Sequence, residues 1–152
     1  MMAVRGYRTG DSIAVKNLIL SIMEKEYPFD RSAYRDTDIN DISGIYSGRD
    51  SAFFVAESDG RIVGTVGIKK DSNGVALLRR LFVEEKCRKK GLGTLLIRKA
   101  LEFCRSKKYK EMVFRATDRM KDAMKLCEKH GFSEKENLEV SGFHIHKFIL
   151  KL

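Results

Sequence analysis

The amino-acid sequence predicts an α+β fold in which helices cover a mixed sheet. Two observations predict it: three adjacent strands joined by tight turns occupy the middle of the chain, and a strand–loop–helix–strand step follows them. With 152 residues, 43% of them hydrophobic and 34% charged, the chain has the composition of a soluble globular protein. We therefore expect residues 1–152 to form a single domain.

The first third of the chain is predicted to contain one strand and two helices. Residues 4–8 are predicted as a short strand, and apolar side chains recur with helical spacing from Val15 to Ile22. This helix must end near Tyr27 because Pro28 follows it. A shorter helix is predicted between residues 39 and 48.

The connection between these two helices carries three aromatic side chains. They are Tyr27, Phe29 and Tyr34, and they lie in a segment, 24–41, that is rich in acidic residues. Long connections often carry function, so these aromatics are candidates for binding a substrate, and the acidic bias would tolerate a cation. The alternative is that the aromatics only cover the core.

Three consecutive strands are predicted in the middle of the chain, over residues 52–58, 61–69 and 75–83. Asp59-Gly60 joins the first two, and an Asp-Gly pair between apolar runs is a strong hairpin signal. A second turn, residues 71–74, precedes the third strand.

The second half is predicted to alternate helices and strands. A helix runs from Thr94 to about Ser106, and a strand follows over residues 111–116. Asp118 is a candidate cap for the last helix, and Gly131 is a natural residue to end it. A strand over 143–150 closes the chain, giving six strands, with further short strands near the end left open.

A basic glycine loop between a strand and a helix is the most informative unit of the sequence. Glycines let main chain approach an anion closely, and the N–H groups that begin a helix have no partners within it. We therefore expect a main-chain cradle for phosphate, with added charge from the basic side chains. Its candidate residues are Leu81, Phe82, Val83, Arg88, Lys89, Lys90, Gly91, Leu92, Gly93 and Thr94.

Two common phosphate motifs do not match this loop. No Gly-Lys-Ser/Thr ends a loop of the length that a Walker motif needs, and Leu96 stands where a dinucleotide fingerprint has its third glycine. The loop also follows the last strand of a meander rather than the first strand of a Rossmann unit.

The loop and its flanks resemble the GCN5-related N-acetyltransferase superfamily. Residues 88–93 match the Arg/Gln-x-x-Gly-x-Gly/Ala signature for acetyl-CoA, residues 78–83 and 94–97 match its flanks, and residues 123–132 resemble the helix that ends in Gly-Phe. The order of elements agrees along nearly the whole chain. The resemblance implies a three-layer α/β arrangement of about four helices and a mixed, mostly antiparallel sheet of six to seven strands, splayed between the fourth and fifth.

The resemblance also implies a function and a set of site residues. An acetyl group would move from acetyl-CoA to a primary amine by direct attack in a ternary complex. The CoA pyrophosphate would lie on the N–H groups of residues 88–93, and a main-chain N–H of Phe82 or Val83 would bind the thioester oxygen. Cys127 stands where the family commonly has a tyrosine that protonates the leaving thiolate, and Met120 stands where it commonly has asparagine.

Other acid–base and metal candidates are less specific. Cys127 is a candidate general acid; the alternative is that it only fills space on the inner face of its helix. Glu57 is a candidate base; the alternative is that it is an exposed residue at the end of a strand. His144 and His146 lie two residues apart on one strand face, which suits a proton relay, a metal pair or ordinary strand residues. Cys127 and His130 lack further ligands nearby in sequence, and we predict no resident metal.

Charge and cysteine content bound the partners and the compartment. The net charge is +9, and the excess of positive charge is concentrated in residues 86–125. This concentration also suits an alternative function, that of a basic nucleic-acid-binding module. That class is less favoured because the strands lack an RNA-reading aromatic motif. A CoA-binding sensor without catalysis is the other alternative.

The sequence predicts a cytoplasmic protein. Its three cysteines are widely spaced, no apolar run is long enough to span a membrane, and no secretory signal is found. Its partners would be a small-molecule or peptide amine and, in a homodimer, a second copy, but no membrane.

Overall fold

The computed structural model describes residues 2–28 and 38–152, so the candidate aromatics Phe29 and Tyr34 lie outside the described residues. The strands are β1 (Met2–Gly6), β2 (Ala52–Ser58), β3 (Arg61–Ser72), β4 (Val75–Val83), β5 (Glu111–Thr117), β6 (Ser133–Val140) and β7 (Phe143–Lys151). The helices are α1 (Ser12–Glu26), α2 (Ile42–Ile45), α3 (Leu92–Ser106) and α4 (Lys121–Lys129). No helix in these two stretches is long and apolar enough to cross a bilayer.

The seven strands form one mixed sheet in the order β1-β2-β3-β4-β5-β7-β6. Every neighbouring pair is antiparallel except β4 and β5, which are parallel and are joined by α3. The predicted splay is confirmed, because β4 pairs with β5 only over Val75–Leu77 and Glu111–Val113. The edge of β4 from residue 78 onward therefore opens toward β5 without a strand beside it.

Helices cover both faces of this sheet. The ring of Phe53 packs against Tyr46 beside α2, while the ring of the next residue, Phe54, packs against Phe103 of α3. Consecutive side chains of a strand point to opposite faces, so α2 and α3 lie on opposite sides. The side chain of Leu126, on α4, lies directly beside Gly93 of α3, which places α4 on the α3 side. The predicted three-layer α/β arrangement with four helices is thereby confirmed.

The observed elements differ from the predicted ones chiefly at their ends. β1 begins and ends two residues earlier than predicted, β3 extends through Ser72, and α2 has only four residues. The Asp59-Gly60 turn is confirmed, with φ of 52° and 79°. Asp118 does not cap α4, which begins at Lys121 without a side-chain cap. Gly131 follows α4 with φ of 97°, as its prediction requires.

β6 is the element that the residue pattern did not locate. All eight of its residues are exposed, so no alternation of apolar and polar side chains marks it. Its pairing with β7 and the Ser141-Gly142 turn, with φ of 50° and 83°, hold it in place. Two positive φ angles in a two-residue connection are typical of a hairpin turn.

Candidate functional site

A cleft of about 450 Å³ lies where β4 ends, the glycine loop begins and α4 passes. Its lining combines apolar side chains of β4 and α4 with charged side chains of the glycine loop and α4. Its lining residues are Tyr27, Leu81, Phe82, Val83, Arg88, Lys89, Gly91, Gly93, Thr94, Met120, Asp122, Ala123, Lys125, Leu126 and Lys129. Eight of the ten predicted cofactor-binding residues line this cleft; Lys90 points to solvent and Leu92 is buried in the core.

The glycine loop presents main chain at the start of α3. Gly91 is the residue before the helix, has φ of 86° and accepts the first helical hydrogen bond from Leu95, with N···O of 3.1 Å. No side chain of the described residues caps this helix end. Lys89 also has a positive φ, 60°, and such alternation of left-handed residues turns successive N–H groups toward one point. The loop therefore has the backbone geometry of an anion-binding site at the positive end of a helix dipole.

The two glycines of the loop serve different purposes. A Cβ on Gly91 would meet nothing within 4 Å, so this glycine is needed for its left-handed backbone and for open space in front of it. A Cβ on Gly93 would lie 2.6 Å from Cδ2 of Leu126. Gly93 therefore permits the close approach of α3 and α4, which closes one side of the cleft.

Arg88 holds the loop rather than presenting a free charge. Its guanidinium donates to both carboxylate oxygens of Glu26, at 2.6 and 2.7 Å, and to the carbonyl oxygen of Val83, at 2.8 Å. The hydrogen bond to Glu26 raises the pKa of Arg88 above its usual value. The main-chain N–H of Arg88 also donates to Glu85, at 3.2 Å, so this amide is not part of the cradle.

The remaining charges of the cleft favour an anion. Lys89, Lys125 and Lys129 line it, against the single carboxylate of Asp122 that faces it from the described residues. A polyphosphate fits both this charge balance and the main-chain cradle.

A buried ion pair between Arg80 of β4 and Asp38 was not predicted from the sequence. Arg80 lies within β4 with φ of 52°, and its guanidinium donates to both oxygens of Asp38, at 2.9 and 2.5 Å. Tyr46 donates to the same carboxylate at 2.7 Å. Burial opposes ionisation of Asp38, but the hydrogen bonds from Arg80 and Tyr46 outweigh it and lower the pKa of Asp38. The network fixes the irregular segment of β4 just before Leu81. In the sequence, the only sign of this ion pair is an arginine within an apolar strand.

The two predicted catalytic side chains lie outside the cleft. Cys127 is completely buried within α4 and does not line the cleft, and burial raises the pKa of its thiol to about 12. Glu57 lies on β2, two strands from β4, where its Oε1 accepts from Nε and Nη2 of Arg5 at 2.8 and 2.5 Å. Tyr27, by contrast, lies at the end of α1 and lines the cleft.

The split sheet and the uncapped start of α3 give this α/β fold an open strand edge beside a positive helix end, an arrangement that suits an extended, phosphate-bearing ligand. A profile of the acetyltransferase (GNAT) family matches residues 16–132, and the chain belongs to this family. Family members use acetyl-CoA as the acetyl donor.

Curated relatives carry the same family's activities in their names. Human N-acetyltransferase 8 is 34% identical over 104 residues, which cover 64% of this chain and 46% of the relative. N-acetylaspartate synthetase of Xenopus tropicalis is 37% identical over 98 residues, which cover 63% of this chain and 36% of the relative. The chain thus spans about half or less of the length of these relatives.

Solved structures share the fold along the full chain. A GNAT-family acetyltransferase of Staphylococcus aureus has a TM-score of 0.86 at 21% identity, covering 99% of this chain and 100% of the other. A GCN5-related N-acetyltransferase of Kribbella flavida has a TM-score of 0.82 at 19% identity, covering 99% and 98%. At these identities the likeness shows the fold alone.

Proposed function

We propose that this chain is an acetyl-CoA-dependent N-acetyltransferase that acts on a primary amine by direct attack in a ternary complex. The observation that carries the proposal is the uncapped start of α3 at Gly91, beside a cleft lined by three lysines and open along the edge of β4. Main-chain amides of residues 89–93 would hold the CoA pyrophosphate, with Thr94 at the helix start. The pantetheine arm would pair with the open edge of β4 as an added strand does.

Strand alternation supports Val83 rather than Phe82 as the donor to the thioester oxygen. The N–H of Glu84 donates to Val63 of β3, at 2.8 Å, and Phe82 lies opposite Thr65 in the same ladder. Hydrogen-bonding direction alternates along a strand, so the amide of Val83 points away from β3 and toward the splay. Its carbonyl, which accepts from Arg88, also lies away from β3. A donor there would stabilise the oxygen as negative charge develops on it.

The proton balance does not require Cys127. As the amine nitrogen attacks the thioester carbon, the C–S bond breaks and the leaving thiolate takes a proton while the amine loses one. A buried thiol with a pKa of about 12 is a weaker acid than an ordinary thiol, whose pKa is about 8.5, so transfer from Cys127 to CoA thiolate would be uphill. Solvent in the open cleft is the proposed proton carrier, and Cys127 fills the inner face of α4.

The acidic bias of residues 24–41 gives limited guidance on the acceptor. Glu26 pairs with Arg88, Asp38 pairs with Arg80, and Asp41 accepts from the N–H of Gly44 at the start of α2. These carboxylates are engaged within the chain, so their number alone does not define a cation site. We propose a small-molecule or peptide amine as acceptor, with Tyr27 among the residues that contact it.

We also propose a cytoplasmic location and a homodimer. The three cysteines are free in the structure, which favours a reducing compartment. Exposed side chains of Leu138 and Val140 on the edge strand β6 favour contact with a second copy. Light scattering during size-exclusion chromatography tests the dimer: a mass of twice 17.4 kDa is expected, and 17.4 kDa would contradict it.

An acetyl-CoA titration followed by a turnover assay tests the function. We expect saturable binding by calorimetry and release of free thiol with at least one member of a panel of cationic, neutral and anionic primary amines. Binding with no turnover across the panel would instead indicate the CoA sensor, which the cysteine at position 127 makes the second candidate. Absent CoA binding together with strongly salt-dependent nucleic-acid binding would overturn the proposal in favour of a basic nucleic-acid-binding module.

A further inference from the structure

Two histidines and two carboxylates gather away from the cleft, where β5, β6 and β7 meet. His144 and His146 lie two residues apart on β7 and so share one face of that strand; their ring centroids are 4.8 Å apart. Asp118 follows β5, which pairs with β7, and Glu134 lies on β6. None of the four lines the cleft.

The donor atoms converge on a small volume. Oδ1 of Asp118 lies 2.5 Å from Nε2 of His146 and 3.1 Å from Nδ1 of His144. One donor atom from each of the three residues lies within 4.8 Å of the others. Zinc binds imidazole nitrogen and carboxylate oxygen at about 2.0–2.2 Å, so small side-chain rotations are enough to arrange these three atoms around an ion.

Glu134 supplies the outer contact that a metal-binding histidine normally has. Its Oε1 is hydrogen-bonded to Nδ1 of His146, which leaves Nε2 of the same ring directed at Asp118. A carboxylate on one ring nitrogen fixes the tautomer and raises the basicity of the other nitrogen toward a metal.

We propose that Asp118, His144 and His146 form a site for a divalent transition-metal ion such as Zn²⁺, with Glu134 orienting His146. Two imidazoles and one carboxylate form a donor set that such ions accept. The Asp118 and His144 side chains are 58% and 42% exposed, which leaves room for water to complete the coordination. Two neutral imidazoles and two carboxylates also balance the charge of a divalent cation.

The proposed ion would act as a clamp on the last part of the sheet. Asp118 lies after β5, the histidines lie on β7 and Glu134 lies on β6, so one ion would tie the end of β5 to β7 directly and to β6 through Glu134. The site is separate from the proposed acetyl-CoA cleft, so the metal proposal and the proposed function fail independently.

Zinc binding to the purified, metal-free chain tests the proposal, measured by competition with a chromophoric chelator. We expect one Zn²⁺ per chain, a loss of at least about 100-fold in affinity in His146→Ala and His144→Ala, and a loss of about 10–100-fold in Glu134→Gln. At a free Zn²⁺ concentration of about 100 times Kd, Tm should rise by about 5–10 °C.

Matched controls separate this site from other zinc-binding side chains. His130→Ala removes the third histidine, whose Nδ1 lies 2.9 Å from the carbonyl of Leu126, and Cys87→Ala removes the partly exposed thiol; both should bind zinc as the wild type does. The exposed His144 keeps the test valid if His146→Ala fails to fold. Unchanged zinc affinity in His144→Ala, or no wild-type binding, would overturn the proposal and leave the cluster as an ion pair between His146 and its two carboxylates.

Discussion

Replacing Gly91 with glutamate is expected to weaken CoA binding while leaving the fold intact. A Cβ at this position meets nothing within 4 Å, so the new side chain enters open space in front of the α3 start without a clash. The backbone φ of 86° is unfavourable for any residue with a Cβ, which costs about 1–2 kcal/mol of stability. The carboxylate would lie against the position proposed for the CoA pyrophosphate.

The size of the effect follows from the repulsion between this carboxylate and a phosphate charge. Two like charges about 4 Å apart repel by about 1 kcal/mol in bulk water and by about 4 kcal/mol at a protein surface. The cleft is open on one side, so an intermediate value of about 2 kcal/mol is appropriate. A loss of about 2 kcal/mol corresponds to an increase of about 30-fold in Kd.

Calorimetric titration of CoA into three variants isolates this charge effect. Gly91→Ala has the same backbone strain without the charge and should keep Kd within about threefold of wild type. Gly60→Glu places a glutamate at a φ of 79°, also in open space, in the β2–β3 turn and should bind CoA normally. If Gly91→Glu bound CoA as tightly as Gly91→Ala does, the assignment of the cradle to residues 89–93 would be refuted.

Four further substitutions, used in three experiments, test the surroundings of the cleft. Cys127→Ala should keep kcat within about tenfold of wild type, because a positioned general acid contributes about 10²–10⁴ in rate and Cys127 is not expected to be one. The same variant should lose about 1 kcal/mol of stability. A normal Kd for acetyl-CoA together with a loss of about 10³-fold in kcat would show that the thiol is required. Arg88→Ala and Glu26→Gln should be non-additive by about 1 kcal/mol in a urea double-mutant cycle, and additive effects would contradict their pairing. Asp38→Asn should lose about 1–3 kcal/mol near pH 7, because Arg80 and Tyr46 would then donate to a neutral amide instead of a carboxylate. The lowered pKa of Asp38 means that its stabilisation is present above about pH 4 and is lost as the pH falls through the folded-state pKa, so wild type and variant should converge in acid; a pH-independent difference would contradict this.

The glycine loop was predictable because its signal is local. Residues 88–93 contain both glycines and the three basic side chains, and the strand and the helix that flank them lie next to them in the sequence. The backbone conformation of the loop can therefore be predicted from this short stretch alone. The meander was predictable for the same reason, since Asp59-Gly60 specifies a turn whatever lies around it.

Other features depend on residues that only the fold brings together. Asp38 and Arg80 are far apart in sequence, and nothing near either residue identifies its partner. Asp118 has the sequence position of a helix cap, but pairing of β5 with β7 places it beside His144 and His146. Cys127 occupies a family position marked by spacing alone, and spacing does not report that the side chain is fully buried.

The complete exposure of β6 has a consequence for hydrogen exchange. Its eight residues bury no side chain, so separating Ser133–Val140 from β7 breaks ladder hydrogen bonds but uncovers little apolar surface. In the metal-free monomer, deuterium should therefore enter the β6 amides through a local opening, at free energies well below that of global unfolding. The amides of β3, which lies between two strands and carries a run of buried residues, should instead exchange only when the whole chain unfolds.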